Sequence, residues 1–147
     1  MPPSAIIRLP VTEPIPMNQA ALHDIARLLL RIALGLLVLL HGVAKLRGGM
    51  AGIERMVEGA GLPGVLAYGV LVGEVLAPLM VLLGFHARLG GALVAVNMLF
   101  AIALAHLGEL DRLNASGGWA LELQGMFLVS AVAIALLGPG RYGINQS

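Results

Sequence analysis

Polar residues along this chain are confined to short runs, and between them lie four long apolar intervals. They cover residues 25–43, 65–83, 89–107 and 119–137. Each is apolar around its whole circumference rather than along one stripe. A helix of that kind belongs in a large core or a bilayer, and 147 residues cannot build a large core. Each interval also approaches the ~20 residues that a helix needs to cross ~30 Å of hydrocarbon. The pattern therefore predicts an all-α integral membrane protein, an antiparallel four-helix bundle over residues 25–138.

The connectors refine this picture. Residues 50–60 place Ile53, Met56 and Val57 at i, i+3, i+4 against Glu54, Arg55 and Glu58, which predicts an amphipathic segment on the membrane surface. Gly61-Leu62-Pro63-Gly64 stops it, residues 84–88 read as a tight helical hairpin, and residues 108–118 read as a polar loop. Five of the eight prolines fall in the first 16 residues, so residues 1–24 are expected to form an extended arm. Gly138-Pro139-Gly140 ends the last span and leaves 139–147 as a short tail.

Composition narrows the function classes. At 59% apolar and 12% charged residues, a soluble globular domain is excluded, since such domains carry about a quarter charged residues. A net charge of +1 offers no field for nucleic acid. The absence of cysteine removes disulfides, thiolate-held iron–sulfur clusters and thiol nucleophiles. Lipid is thus the expected surrounding. Arg27, Arg31 and Arg88 lie tight against the span ends on the side of both termini, which points to cytoplasmic N- and C-termini.

Ionisable residues inside a span cost several kcal/mol and are functional candidates by default. Here they are His41, Glu74, His106 and Glu122, with neutral Asn97 and Gln124, while Arg31 is read as snorkelling from one turn inside. At 1.5 Å per residue, His41, Glu74, His106, Glu122 and Gln124 fall in the same half of the bundle, the half facing the 44–64 and 108–118 loops. Lys45 follows His41 by four residues and shares its face. This predicts a polar pocket with Glu74 at its floor. Pro78 lies four residues after Glu74 and has no amide N–H to donate to the Glu74 carbonyl in the helix ladder. Blander readings run beside these. Asn97 serves as an interhelical hydrogen bond, Gly69 and Gly73 form a packing groove, and Trp119 is an interfacial anchor.

The ligand types would suit a metal, but the spacing matches no metal motif, so none is assigned. A bis-histidine haem b between His41 and His106 is disfavoured by the few aromatics available to wall a macrocycle. A quinone head group also suits the residue types, as does a proton or small-solute pathway through the same carboxylates. Glu74, His41 and His106 would handle protons, and Lys45, Trp119, Glu122 and Gln124 would shape the pocket.

Four stretches, LRIALGLLVLLHGVAKL (30–46), GEVLAPLMVLLGFHARLG (73–90), NMLFAIALAH (97–106) and GWALELQGMFLVSAVAIALLGPG (118–140), resemble the DoxX family of small four-span bacterial membrane proteins. That resemblance implies an inner-membrane four-helix bundle in a quinone-linked redox setting, with a protein partner in a redox membrane complex. The expected role is therefore a quinone-binding subunit or membrane anchor. The rival expectations are a non-catalytic structural subunit of a larger complex and a pathway for protons or small solutes.

Overall fold

The computed structural model describes residues 18–145. Among them the helices run α1 (Gln19–Gly48), α2 (Ala51–Gly59), α3 (Gly69–Leu71), α4 (Ala77–Leu83), α5 (Ala87–Ala105) and α6 (Glu122–Leu137), with 3₁₀ turns at Gly64–Tyr68 and Leu107–Glu109. A π-helical turn, Val72–Leu76, joins α3 to α4, so that Gly64–Leu83 is one continuous second span. Successive spans pack antiparallel, and α6 closes back onto α1. No strand occurs among the described residues; only an isolated bridge pairs Leu113 with Trp119.

The bundle is apolar inside and out. Leu34, Val38, Ala77, Val81, Val94, Met98, Phe127, Ala131 and Ile134 form the core. Leu29, Leu40, Met126 and Leu136, each more than 60% exposed, stud the perimeter. Water would not tolerate that perimeter as a contiguous surface, and acyl chains do. Three helices are long and apolar enough to span a membrane, and α6 is a shorter apolar helix of 16 residues.

Several boundaries shift from the sequence reading, each for a local reason. Helix α1 begins at Gln19, where the Asn18 Oδ1 accepts the Ala20 amide at 3.0 Å and caps the first turn. Residues 19–24, assigned to the extended arm, are therefore helical, and the remainder of that arm up to residue 17 lies outside the described residues. The last span starts at Glu122 rather than Trp119, because Trp119 is drawn into the preceding loop. Its indole Nε1–H donates to the Leu110 carbonyl at 2.9 Å. The third span ends at Ala105, leaving His106 as its cap. Helix α2 folds back against the start of the second span through Val57, which is buried, while Met56 stays exposed.

The largest correction concerns Arg31. It does not snorkel: it is 1% exposed. Its Nε and Nη2 donate to the Val81 and Leu82 carbonyls at 2.8 and 2.9 Å, and its Nη1 donates to the Pro139 carbonyl at 2.8 Å. The last carbonyls of α4 have no partner in their own helix, and a guanidinium fork meets them with charge-assisted hydrogen bonds at the negative end of the helix dipole. Gly84, at φ 68°, turns the chain left-handed so that the Gly84 and Phe85 amides return to Val81 and Met80, a Schellman stop that glycine adopts without a Cβ penalty. The Ile144 and Asn145 amides then reach the Leu83 and Gly84 carbonyls at 3.3 and 3.2 Å. Arg88 repeats the device for α6, donating to the Leu136 carbonyl at 2.9 Å.

Candidate functional site

The second span supplies the centre of the site. Pro78 has no amide to return to Glu74, and the helix answers by widening into the π turn Val72–Leu76. The Glu74 carbonyl lies against Gly42 of α1, where any Cβ would collide with it. Absence of a side chain at Gly42 thus brings α1 close enough for Lys45, three residues on, to reach the carboxylate.

Glu74 is 3% exposed. Its Oε1 accepts from the Lys45 ammonium in an ion pair and from Asn97 Nδ2 at 3.2 Å. Its Oε2 is buried without a hydrogen-bond partner among the described residues. Asn97 thus makes the interhelical bond expected of it, with Gly73 supplying the room for its side chain, whereas Gly69 meets no neighbour where a Cβ would sit. The groove read at Gly69 and Gly73 therefore exists at Gly73 only.

Beside this carboxylate opens a cavity of ≈ 230 Å³. Its lining mixes polar side chains, His41 and Lys45 from α1, Glu74, His106 at the end of α5 and Gln124 from α6, with apolar ones, Val38, Met98, Ala101, Leu123 and Phe127. His41 stands edge-on to Phe127 with ring centroids 5.7 Å apart. His106 Nδ1 meets Glu109 Oε2 at 3.0 Å, and its Nε2 meets Gln124 Nε2 at 3.4 Å. A neutral imidazole protonated at Nδ1 satisfies both contacts, donating to the carboxylate and accepting from the amide.

The structure brings five of the sequence-selected residues, His41, Lys45, Glu74, His106 and Gln124, to one cavity. It does not bring Trp119 and Glu122 there. Trp119 lies across Gly125 and donates to the loop. Glu122 accepts from Asn114 Nδ2 at 3.3 Å in the loop before α6, and Asn114 Oδ1 in turn accepts the Ser116 and Gly118 amides. Both residues are corrected from pocket to loop anchor. Glu109 and Phe127 were missed by the sequence reading. The i, i+3 spacing of His106 and Glu109 across a short turn was the available signal for the first, and Phe127 carried none beyond being apolar.

Comparison with known proteins follows the same outline. The DoxX family model matches residues 26–107, which contain every polar residue of the cavity except Gln124. A Bacillus subtilis protein named "Putative oxidoreductase CatD" is 30% identical over 122 residues, covering 83% of this chain and 84% of that protein. "Inner membrane protein YqjF" of Escherichia coli is 29% identical over 126 residues, covering 85% of this chain and 93% of that protein. No solved structure matches.

Proposed function

The chain belongs to the DoxX family, and from that premise we propose that it is the quinone-binding subunit of a redox system in the bacterial inner membrane. The observation that carries the proposal is the mixed lining of the cavity at Glu74: donors and a carboxylate together with apolar side chains. Ligand sites of this type are mostly apolar with a few placed polar groups. At ≈ 230 Å³ the cavity lies below the ~300–1,000 Å³ of drug-sized pockets. That size suits a single ring and not a macrocycle, which argues against haem b between His41 and His106. The names of the two relatives, an oxidoreductase and an inner-membrane protein, support the setting.

The fit of a quinone head to these residues rests on the unpartnered Glu74 Oε2. A buried acceptor without a donor is costly, and it is retained here on a residue that lines a cavity also holding donors. A bound quinone supplies two-electron, two-proton chemistry. Gln124 and His41 present N–H groups that can orient a ring carbonyl. Lys45 balances the Glu74 charge when no proton is present. Glu74 accepts or releases a proton at Oε2, and Glu109 holds the His106 imidazole in the tautomer whose Nε2 faces Gln124. Electrons come from a protein partner in the membrane complex. The termini face the cytoplasm in this proposal, since Arg27, Arg31 and Arg88 crowd that side of the spans.

The test is direct. The protein is extracted in mild detergent, its lipid analysed for quinone, and its thermal unfolding followed with a short-chain quinone added. Quinone-dependent stabilisation that weakens in Glu74→Gln and Gln124→Leu is the expected result. No co-extracted quinone together with no stabilisation overturns the quinone reading and leaves the structural subunit and the proton or solute pathway.

A further inference from the structure

At the opposite end of the bundle lies a second, larger recess that the proposed function does not use. It has a volume of ≈ 510 Å³ and is lined by Asp24, Arg27, Arg88, Leu137, Gly140 and Arg141, with Pro139 at its edge. Three elements contribute the arginines: α1 gives Arg27, the start of α5 gives Arg88, and the tail gives Arg141. Three guanidiniums and one carboxylate leave two net positive charges in one recess.

The cluster is built rather than incidental. Asp24 Oδ1 accepts from Arg27 Nη1 at 3.3 Å and from the Arg141 backbone amide at 3.2 Å, which pins the tail beside α1. Arg88 spends Nη1 on the Leu136 and Ala135 carbonyls at 2.9 and 3.4 Å. Its Nε and Nη2, and the whole Arg141 guanidinium, make no hydrogen bond among the described residues. The basic residues lining the recess are all arginines. The chain's single lysine, Lys45, is spent on Glu74. A guanidinium presents a planar fork that matches a phosphate bidentately, as an ammonium does not.

The surroundings identify the kind of phosphate. Leu137 lines the recess and is 46% exposed, and Leu136 and Leu89 beside Arg88 are 71% and 53% exposed. Guanidiniums therefore meet the lipid-facing surface where the apolar perimeter ends, at head-group depth. A basic pocket between transmembrane helices is suited to an anionic lipid head group. We propose that this recess binds the phosphodiester head group of an anionic phospholipid, with its acyl chains running down the exposed leucines. A zwitterionic lipid brings a cation of its own into a recess that is already positive and is bound less well.

The experiment uses the full chain in neutral detergent. Native mass spectrometry follows retention of phosphatidylglycerol against phosphatidylcholine of the same acyl chains. The expected result is preferential retention of phosphatidylglycerol. Arg27→Gln and Arg141→Gln each weaken it about fivefold, the loss appropriate to one near-surface basic residue, and the pair abolishes the preference. Arg55→Gln, on α2 at the other end, leaves it intact. Arg141→Gln is the decisive variant, because that side chain makes no hydrogen bond among the described residues; unchanged thermal unfolding of the variant shows that binding, not folding, was lost. Equal retention of the two lipids, or equal loss in Arg55→Gln, overturns the site. Displacement of the lipid by millimolar inorganic phosphate overturns the lipid assignment, since a water-soluble phosphate would then be the occupant.

Discussion

Lys45→Met asks whether charge pairing holds Glu74 in place. The two partners differ sharply in exposure: the Glu74 side chain is 4% exposed and the Lys45 side chain 35%. Removing the ammonium strands a buried carboxylate with Asn97 as its remaining donor. Breaking a buried pair in that way costs about 3–5 kcal/mol. The lysine head is partly solvated, and screening reduces the value to about 2–3 kcal/mol. Glu74→Gln instead leaves Lys45, which can turn its ammonium toward water, and costs about 1 kcal/mol, the price of one hydrogen bond. The double variant removes the stranded charge and recovers most of the loss. Thermal unfolding in detergent reads this cycle, with about 2–4 °C expected per kcal/mol. Lys45→Met should therefore fall by about 4–12 °C, and Lys45→Met/Glu74→Gln should lie well above it. A Glu74→Gln loss equal to that of Lys45→Met, or a double variant no better than the sum of the singles, would refute the pairing argument.

Three further outcomes are expected. Gly42→Ala drives a Cβ into the Glu74 carbonyl and should destabilise by about 1–3 kcal/mol; Gly52→Ala in α2, where a Cβ meets nothing, should be neutral or stabilising by up to about 1 kcal/mol in the same unfolding assay. Arg31→Met takes the donor from the Leu82 and Pro139 carbonyls and one of two donors from Val81 and should cost about 3 kcal/mol; Arg31→Lys should fail to restore it, since one ammonium does not reproduce the fork, and full rescue by lysine would count against the capping role. Because the chain has no cysteine, Ser116→Cys creates a unique reporter in the loop before α6. An impermeant maleimide applied to intact spheroplasts should label it if the termini are cytoplasmic, and labelling only after lysis would reverse the orientation.

The apolar helices were legible because lipid imposes a length that an apolar interval either meets or misses; three of the described helices meet it, and α6 falls short. Depth was legible for the same reason: the rise per residue is constant, so counting from span ends placed His41, Lys45, Glu74, His106 and Gln124 at one level. Rotation about the helix axis was less so. Glu122 and Gln124 share a depth but point about 200° apart at 100° per residue, so one helix cannot present both to the same cavity. Only the packing of α6 against α5 decides which one enters. Trp119 illustrates a different blindness. An apolar residue next to a span reads as part of it until the loop captures its indole. Arg31 was misread because a lone arginine one turn inside a span has two ways to satisfy its donors, water or orphan carbonyls. The ends of α4 and the tail that offer those carbonyls lie 50 to 108 residues further along the chain.

The Arg31 contacts also bear on how the protein is made. Helix α1 carries a guanidinium whose Nη1 acceptor, the Pro139 carbonyl, is 108 residues away and leaves the ribosome only after α6. Until then Nη1 is unmatched even where the Val81 and Leu82 carbonyls have met Nε and Nη2. Synthesis through Pro139, rather than insertion of any one helix, completes the set of acceptors, so a chain released before that point keeps one polar defect in α1.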